Sequence, residues 1–150
     1  MRFVAVIAVI ALLPVPFASA GNLDEKIPDA QQLAALEVRA AEASPREQCY
    51  LYAELVHSMT EIATIQLQQG QGAQASASLE SARSYAAKLQ TGLVNNARKL
   101  KNAEILIRHT AFRLKELMMG ASLDDRPTME ATLQQLNTVE ARMMMQVFQK

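Results

Sequence analysis

Glu54-Leu55-Val56-His57 is the stretch whose residue types and spacing suit a metal. A glutamate and a histidine three residues apart share one helical face, and carboxylate-bridged di-iron bundles use two such pairs with two further glutamates. Here the motif occurs once, and the second histidine, His109, follows Arg108 and has no glutamate three residues before it. With Tyr52 and Leu55 turned to a core, Glu54 and His57 are expected to point away from it. His57 then reads as a solvated or surface-paired side chain, with metal ligation as the alternative. Met118, Met119, Met129, Met143, Met144 and Met145 offer thioethers, soft ligands suited to Cu(I). Three adjacent methionines fan around a helix and cannot converge on one ion, so they read as adaptable core or contact side chains. A periplasmic bundle that handles copper or iron is thus the second reading, and the residues call for no cofactor.

The single cysteine, Cys49, excludes an internal disulfide. It sits beside Tyr50 and Leu51 in a helical run, where burial as a small apolar residue is expected over pairing between molecules. There is no phosphate loop, nucleophile elbow, zinc spacing or Ser-His-Asp order. The expectation is a protein that is not an enzyme.

Two charged rows follow a heptad spacing. Glu47, Glu54 and Glu61 make an acidic line, and Arg98, Lys101, Arg108 and Lys115 make a basic face. That basic face suits an anionic partner or a membrane surface; the alternative is a solvated face, cross-paired between helices. The 15 basic and 15 acidic residues cancel, which gives no reason to expect nucleic acid. Ile105, Phe112 and Met119 are also spaced by seven, and they lie opposite the main apolar seam of their helix. This second stripe must meet the first helix, a second subunit in a homo-oligomer, or another envelope protein.

These residues need long helices to hold them. Residues 73–119 contain no proline, and a seam steps by three and four through Leu79, Ala82, Ala86, Leu89, Leu93, Asn96, Leu100, Ala103, Ile107, Thr110, Leu114 and Leu117. A 3.5-residue repeat keeps one stripe against partner helices. Gly92 costs about 1 kcal/mol in a helix interior, but a loop there would normally shift the phase, and the phase is intact. One central helix over 73–119, bent at Gly92, is therefore expected. A break would fold the same pieces into a compact antiparallel four-helix bundle. Asn96 either fixes register in the seam or meets water where the neighbouring helices change.

The remaining helices are expected over 28–43, 45–69 and 125–148. Ser44-Pro45-Arg46-Glu47 reads as a capping box with proline in the first turn, Gly70-Gln71-Gly72 as a reversal, and Ser122 or Asp124 as the cap before Pro127. The fold class expected is all-α, an antiparallel bundle in a single domain over 28–150. Residues 1–20 read as a signal peptide, with Arg2, an apolar run from Phe3 to Leu13, and Ala18-Ser19-Ala20 at the cleavage site. Residues 21–27 read as a flexible leader. The mature chain would then be periplasmic or extracellular.

The run Ser44-Pro45-Arg46-Glu47-Gln48-Cys49-Tyr50-Leu51-Tyr52-Ala53-Glu54-Leu55-Val56-His57 resembles a group of small exported bacterial proteins of unknown function. The similarity continues through Leu100-Lys101-Asn102-Ala103-Glu104 and His109-Thr110. It implies an exported helical protein and no particular activity, and it marks Cys49 and His57 as lying in a stretch worth mutating.

Overall fold

Pro45 and Pro127 fall in the first turns of their helices, and Gly70 and Gly120 lie just past helix ends. The computed structural model describes residues 27–149, so the signal-peptide and most of the leader expectation lie outside the described residues. Five helices are present: α1 (Ala30–Glu42), α2 (Pro45–Gln68), α3 (Gly72–Gly92), α4 (Leu100–Met119) and α5 (Arg126–Phe148). No strand occurs among the described residues. The all-α bundle is what the apolar periodicity required.

The caps differ in detail from expectation. The capping box lies at α1, where Asp29 accepts from the Gln32 amide at 2.8 Å and Gln32 Oε1 accepts from the Asp29 amide at 3.1 Å. Ser44 instead turns its hydroxyl to the Glu47 carboxylate at 3.2 Å, and Pro45 alone shapes the first turn of α2. At α5 the cap position is Asp125, whose carboxylate accepts from the Ser122 hydroxyl at 2.7 Å. Gly70 takes the positive φ of 73° that closes the reversal from α2 into α3.

The continuous central helix is not found. α3 ends at Gly92, residues 93–99 form a connection, and α4 starts at Leu100. Leu93 is extended, and Lys99 adopts a left-handed conformation with φ 53°. The Arg98 amide donates to the Arg46 carbonyl at 2.7 Å, and Arg46 Nε donates to the Asn96 carbonyl at 3.1 Å. These bonds give the connection's backbone partners at the start of α2, which a continued helix could not reach. The seam kept its phase because the connection is seven residues long, one whole heptad. Leu79, Ala82, Ala86 and Leu89 are buried on one side of the break, and Ala103, Ile107, Thr110 and Leu114 on the other. Asn96 between them is exposed, so it meets water and fixes no register.

The helix that organises the molecule is α2, which packs against α1, α3 and α4, while α5 packs against α3 and α4. Buried side chains surround α2: Cys49, Tyr52, Ala53, Leu55, Val56 and Ala63 are joined by His57, Ser58, Thr60 and Glu61. α1 turns back along α2 after the two-residue link at 43–44, and Gln48 Nε2 donates to the Ala40 carbonyl at 3.1 Å.

Two helical hairpins, α2–α3 and α4–α5, stack side by side with an offset near 52 residues. Arg83 and Gln135 exchange bonds across α3 and α5, Nε to Oε1 at 3.3 Å and Nε2 to the Arg83 carbonyl at 2.9 Å. Glu61 meets Arg113 across α2 and α4 at 2.9 Å, and Glu47 meets Arg98 at 3.3 Å. Equal offsets mean that α2 runs parallel to α4, and α3 parallel to α5, while each hairpin is antiparallel within itself. The turns of the two hairpins touch: a Cβ on Gly72 would lie 2.7 Å from Asp125 Oδ1.

Candidate functional site

Glu54 and His57 share a helix but not a neighbourhood. His57 is buried, contrary to the solvated position expected for it, because α2 is covered on three sides rather than one. Its Nδ1 lies 2.8 Å from Thr110 Oγ1 on α4, and its ring stands 6.1 Å from that of His109. Glu54 is half-buried and hydrogen-bonds Tyr50, with Arg39 and Lys99 nearby. Burial pushes its carboxyl up, and Arg39, Lys99 and the Tyr50 bond oppose that shift. Among the described residues no group of three or more His, Cys, Asp or Glu side chains could hold a metal ion. The methionines scatter likewise: Met129 and Met143 are core residues, whereas Met119, Met144 and Met145 are exposed. Cys49 is buried in the core, and burial pushes its thiol up to about 12.

The acidic line of α2 is largely consumed inside the fold. Glu47 pairs with Arg98, and buried Glu61 pairs with Arg113. Lys99 lies 4.7 Å over the Tyr50 ring. A cleft of about 470 Å³ between α1, α2 and the 93–99 connection is lined by Arg39, Glu42, Glu47, Tyr50, Arg98 and Lys99, so its charges are mixed in sign. It works as a clasp that holds α1 and the connection to α2. Arg98 therefore serves the fold, and Lys101, Arg108 and Lys115 remain as the basic row of α4.

That row flanks an uncovered apolar ridge. Ile105, Phe112 and Met119 are 44%, 59% and 75% exposed on the outer side of α4. The first helix, which could have covered them, packs on α2 instead. Each ridge residue follows a cation by one helical turn: Lys101 precedes Ile105, Arg108 precedes Phe112, and Lys115 precedes Met119. All three cations are exposed. Spacings of four and seven put the two rows side by side on one face.

Beside the ridge runs a groove between α4 and α5. It holds about 210 Å³ and is lined by Arg108, Phe112, Lys115, Leu133, Asn137 and Glu140, with Ala111 at its α4 wall. Leu133 and Asn137 also line a shallower depression that continues along α5 past Ala141 to Met145. Met145 and Phe148 are largely exposed at the far end of α5. Near the groove, Glu104 is buried with its Oε1 3.2 Å from Arg108 Nη1. Glu140 on α5 has its carboxyl raised above the ordinary value, first by burial and then by the Glu104 charge, with Arg108 opposing. Arg108 thus pairs with Glu104 and also lowers the carboxyl of Glu140 by its charge where α4 meets α5. Nothing in the spacing of Glu104 and Glu140 announced that they would meet, since the hairpin brings them together over 35 intervening positions.

No protein-family model, curated protein or solved structure matches the chain. Among the described residues no helix is long and apolar enough to cross a membrane.

Proposed function

We propose that this chain is a non-catalytic helical interaction module of the bacterial envelope, which works by presenting the outer face of the α4–α5 hairpin to a partner. The observation that carries this reading is the exposure of Phe112 between Ile105 and Met119. A large apolar residue left 59% in water is ordinary when single, but three in line beside a groove make a patch of the kind that marks contact sites. The cations along the ridge supply the polar rim that such surfaces use for orientation. Export to the periplasm or beyond supports an envelope setting; it rests on the apolar run from Phe3 to Leu13, on Ala18-Ser19-Ala20, and on the resemblance to small exported proteins.

Two measurements test this. The intact mass of the chain recovered from the periplasm is expected to correspond to cleavage after Ala20. Phe112→Asp is expected to release the protein from the envelope assembly in which the wild type migrates, without change in helical circular dichroism. A wild-type chain that migrates alone in gently extracted envelopes, and binds neither itself nor lipid when pure, would refute the reading.

A further inference from the structure

We infer that the occupant of the α4–α5 face is a second copy of this chain, related by a two-fold axis parallel to the helices. The inference rests on the reading of that face as a docking surface, and it names the partner. Its first support is shape. An isologous interface needs a protrusion and a matching recess on one patch, and the Ile105–Phe112–Met119 ridge lies alongside the groove formed with Leu133 and Asn137. The ridge of each copy can enter the groove of the other, as helix ridges enter grooves in ordinary packing.

Charge supplies the second support and selects the axis. Phe112, Lys115 and Leu133 line one stretch of the groove, and Glu130 lies three residues from Leu133 on the α5 side of the same face. A two-fold axis parallel to the helices keeps every residue at its own height and sets α4 of one copy against α5 of the other. Lys115 then comes to the height of the partner copy's Glu130. A two-fold axis across the helices would set α4 on α4 and bring cation row against cation row, which is disfavoured. The third support is area. Helices of 20 and 23 residues run roughly 30 Å each, pack about 10 Å apart and are about 10 Å across, so their shared face is on the order of 600 Å², the lower end of what stable interfaces bury per partner. Inside the chain each hairpin already covers one face of the other, and the outer face of α4–α5 has no cover among the described residues.

Sedimentation equilibrium on the purified chain tests the inference. The wild type is expected to be a dimer at micromolar concentration. Phe112→Asp should raise the dimer Kd by about a hundredfold with unchanged circular dichroism. If Phe112→Asp loses helicity, Met119→Glu, at a more exposed position, takes its place with the same expectation. Lys115→Glu should weaken the dimer about tenfold, and adding Glu130→Lys should restore most of it. A dimer indifferent to Phe112→Asp and Met119→Glu would overturn the inference. So would a wild type that stays monomeric. In that case, binding to phosphatidylglycerol vesicles that Phe112→Asp abolishes would keep the face as a docking surface and remove only the second copy. A monomer that also ignores the vesicles, and migrates alone in gently extracted envelopes, would sink both readings.

Discussion

Thr110 Oγ1 stands 2.8 Å from His57 Nδ1 and 2.8 Å from the carbonyl oxygen of Leu106. A hydroxyl has one proton to give. Donated to the Leu106 carbonyl, it leaves the oxygen free to accept, and Nδ1 of His57 carries the hydrogen it receives. The threonine thereby fixes the imidazole tautomer at the α2–α4 interface. Thr110→Val keeps the shape and removes the oxygen that meets Nδ1 across the α2–α4 interface. Urea unfolding should show a loss of about 1–3 kcal/mol, with Thr110→Ser recovering most of it.

Glu140 gives the fold a pH dependence of definite sign. Its carboxyl is raised from 4.5 by burial, then by the neighbouring Glu104, against the pull of Arg108. A carboxyl raised on folding binds its proton more tightly in the native state. The stability it contributes is complete below the unfolded value of 4.5 and is lost as pH rises through the higher folded value. Glu140→Gln should therefore be more stable than the wild type at pH 7 and show a flatter stability curve between acid and neutral pH. The flattening is partial, because Glu54 is raised in the same direction and remains. Thermal unfolding across that range reads both effects.

The Cys49 thiol, pushed up to about 12 by burial, holds almost no thiolate at neutral pH. Native protein should resist alkylation by iodoacetamide at pH 8, and the chain in urea should label at the rate of a free thiol. Fast labelling of the native protein would show that Cys49 is not in the core.

Gly92 and Gly70 should respond to alanine with opposite signs. A Cβ on Gly92 would meet only Gln48 Oε1 at 3.7 Å, an ordinary contact, and Gly92 lies in the last turn of α3. Gly92→Ala is expected to stabilise by about 0.4–1 kcal/mol by restricting the unfolded chain. Gly70 has open space around it but a φ of 73°, so Gly70→Ala should destabilise by about 1 kcal/mol through the backbone alone. Paired denaturant titrations compare the two.

The helices and much of the core were legible because burial leaves a periodic trace. Leu79, Ala86, Ile107 and Leu114 face inward as their spacing demands. The Ile105–Phe112–Met119 stripe was legible for the same reason, and its exposure follows from α1 choosing α2. His57 is buried where a one-sided apolar pattern would leave it in water, because α2 is packed by α1, α3 and α4. A helix covered on three sides needs small and polar residues that meet partners, such as Thr60 bonded to the Val56 carbonyl at 2.9 Å. Glu61 with Arg113, and Glu104 with Glu140, were invisible because tertiary contact, not spacing, creates those pairs. The break at Gly92 leaves no trace in the sequence because a loop of one heptad erases its own signature from the phase.

That same coincidence of length makes the segment from Leu93 to Lys99 a removable hinge. Excising it would weld α3 to α4 with the apolar edge still aligned, and the α4–α5 hairpin could then no longer fold back beside α2–α3. Each hairpin would have to find its complement on another molecule, so the shortened chain should emerge as a reciprocally swapped pair. A single deletion thus separates a bundle closed within one chain from an elongated one shared between two.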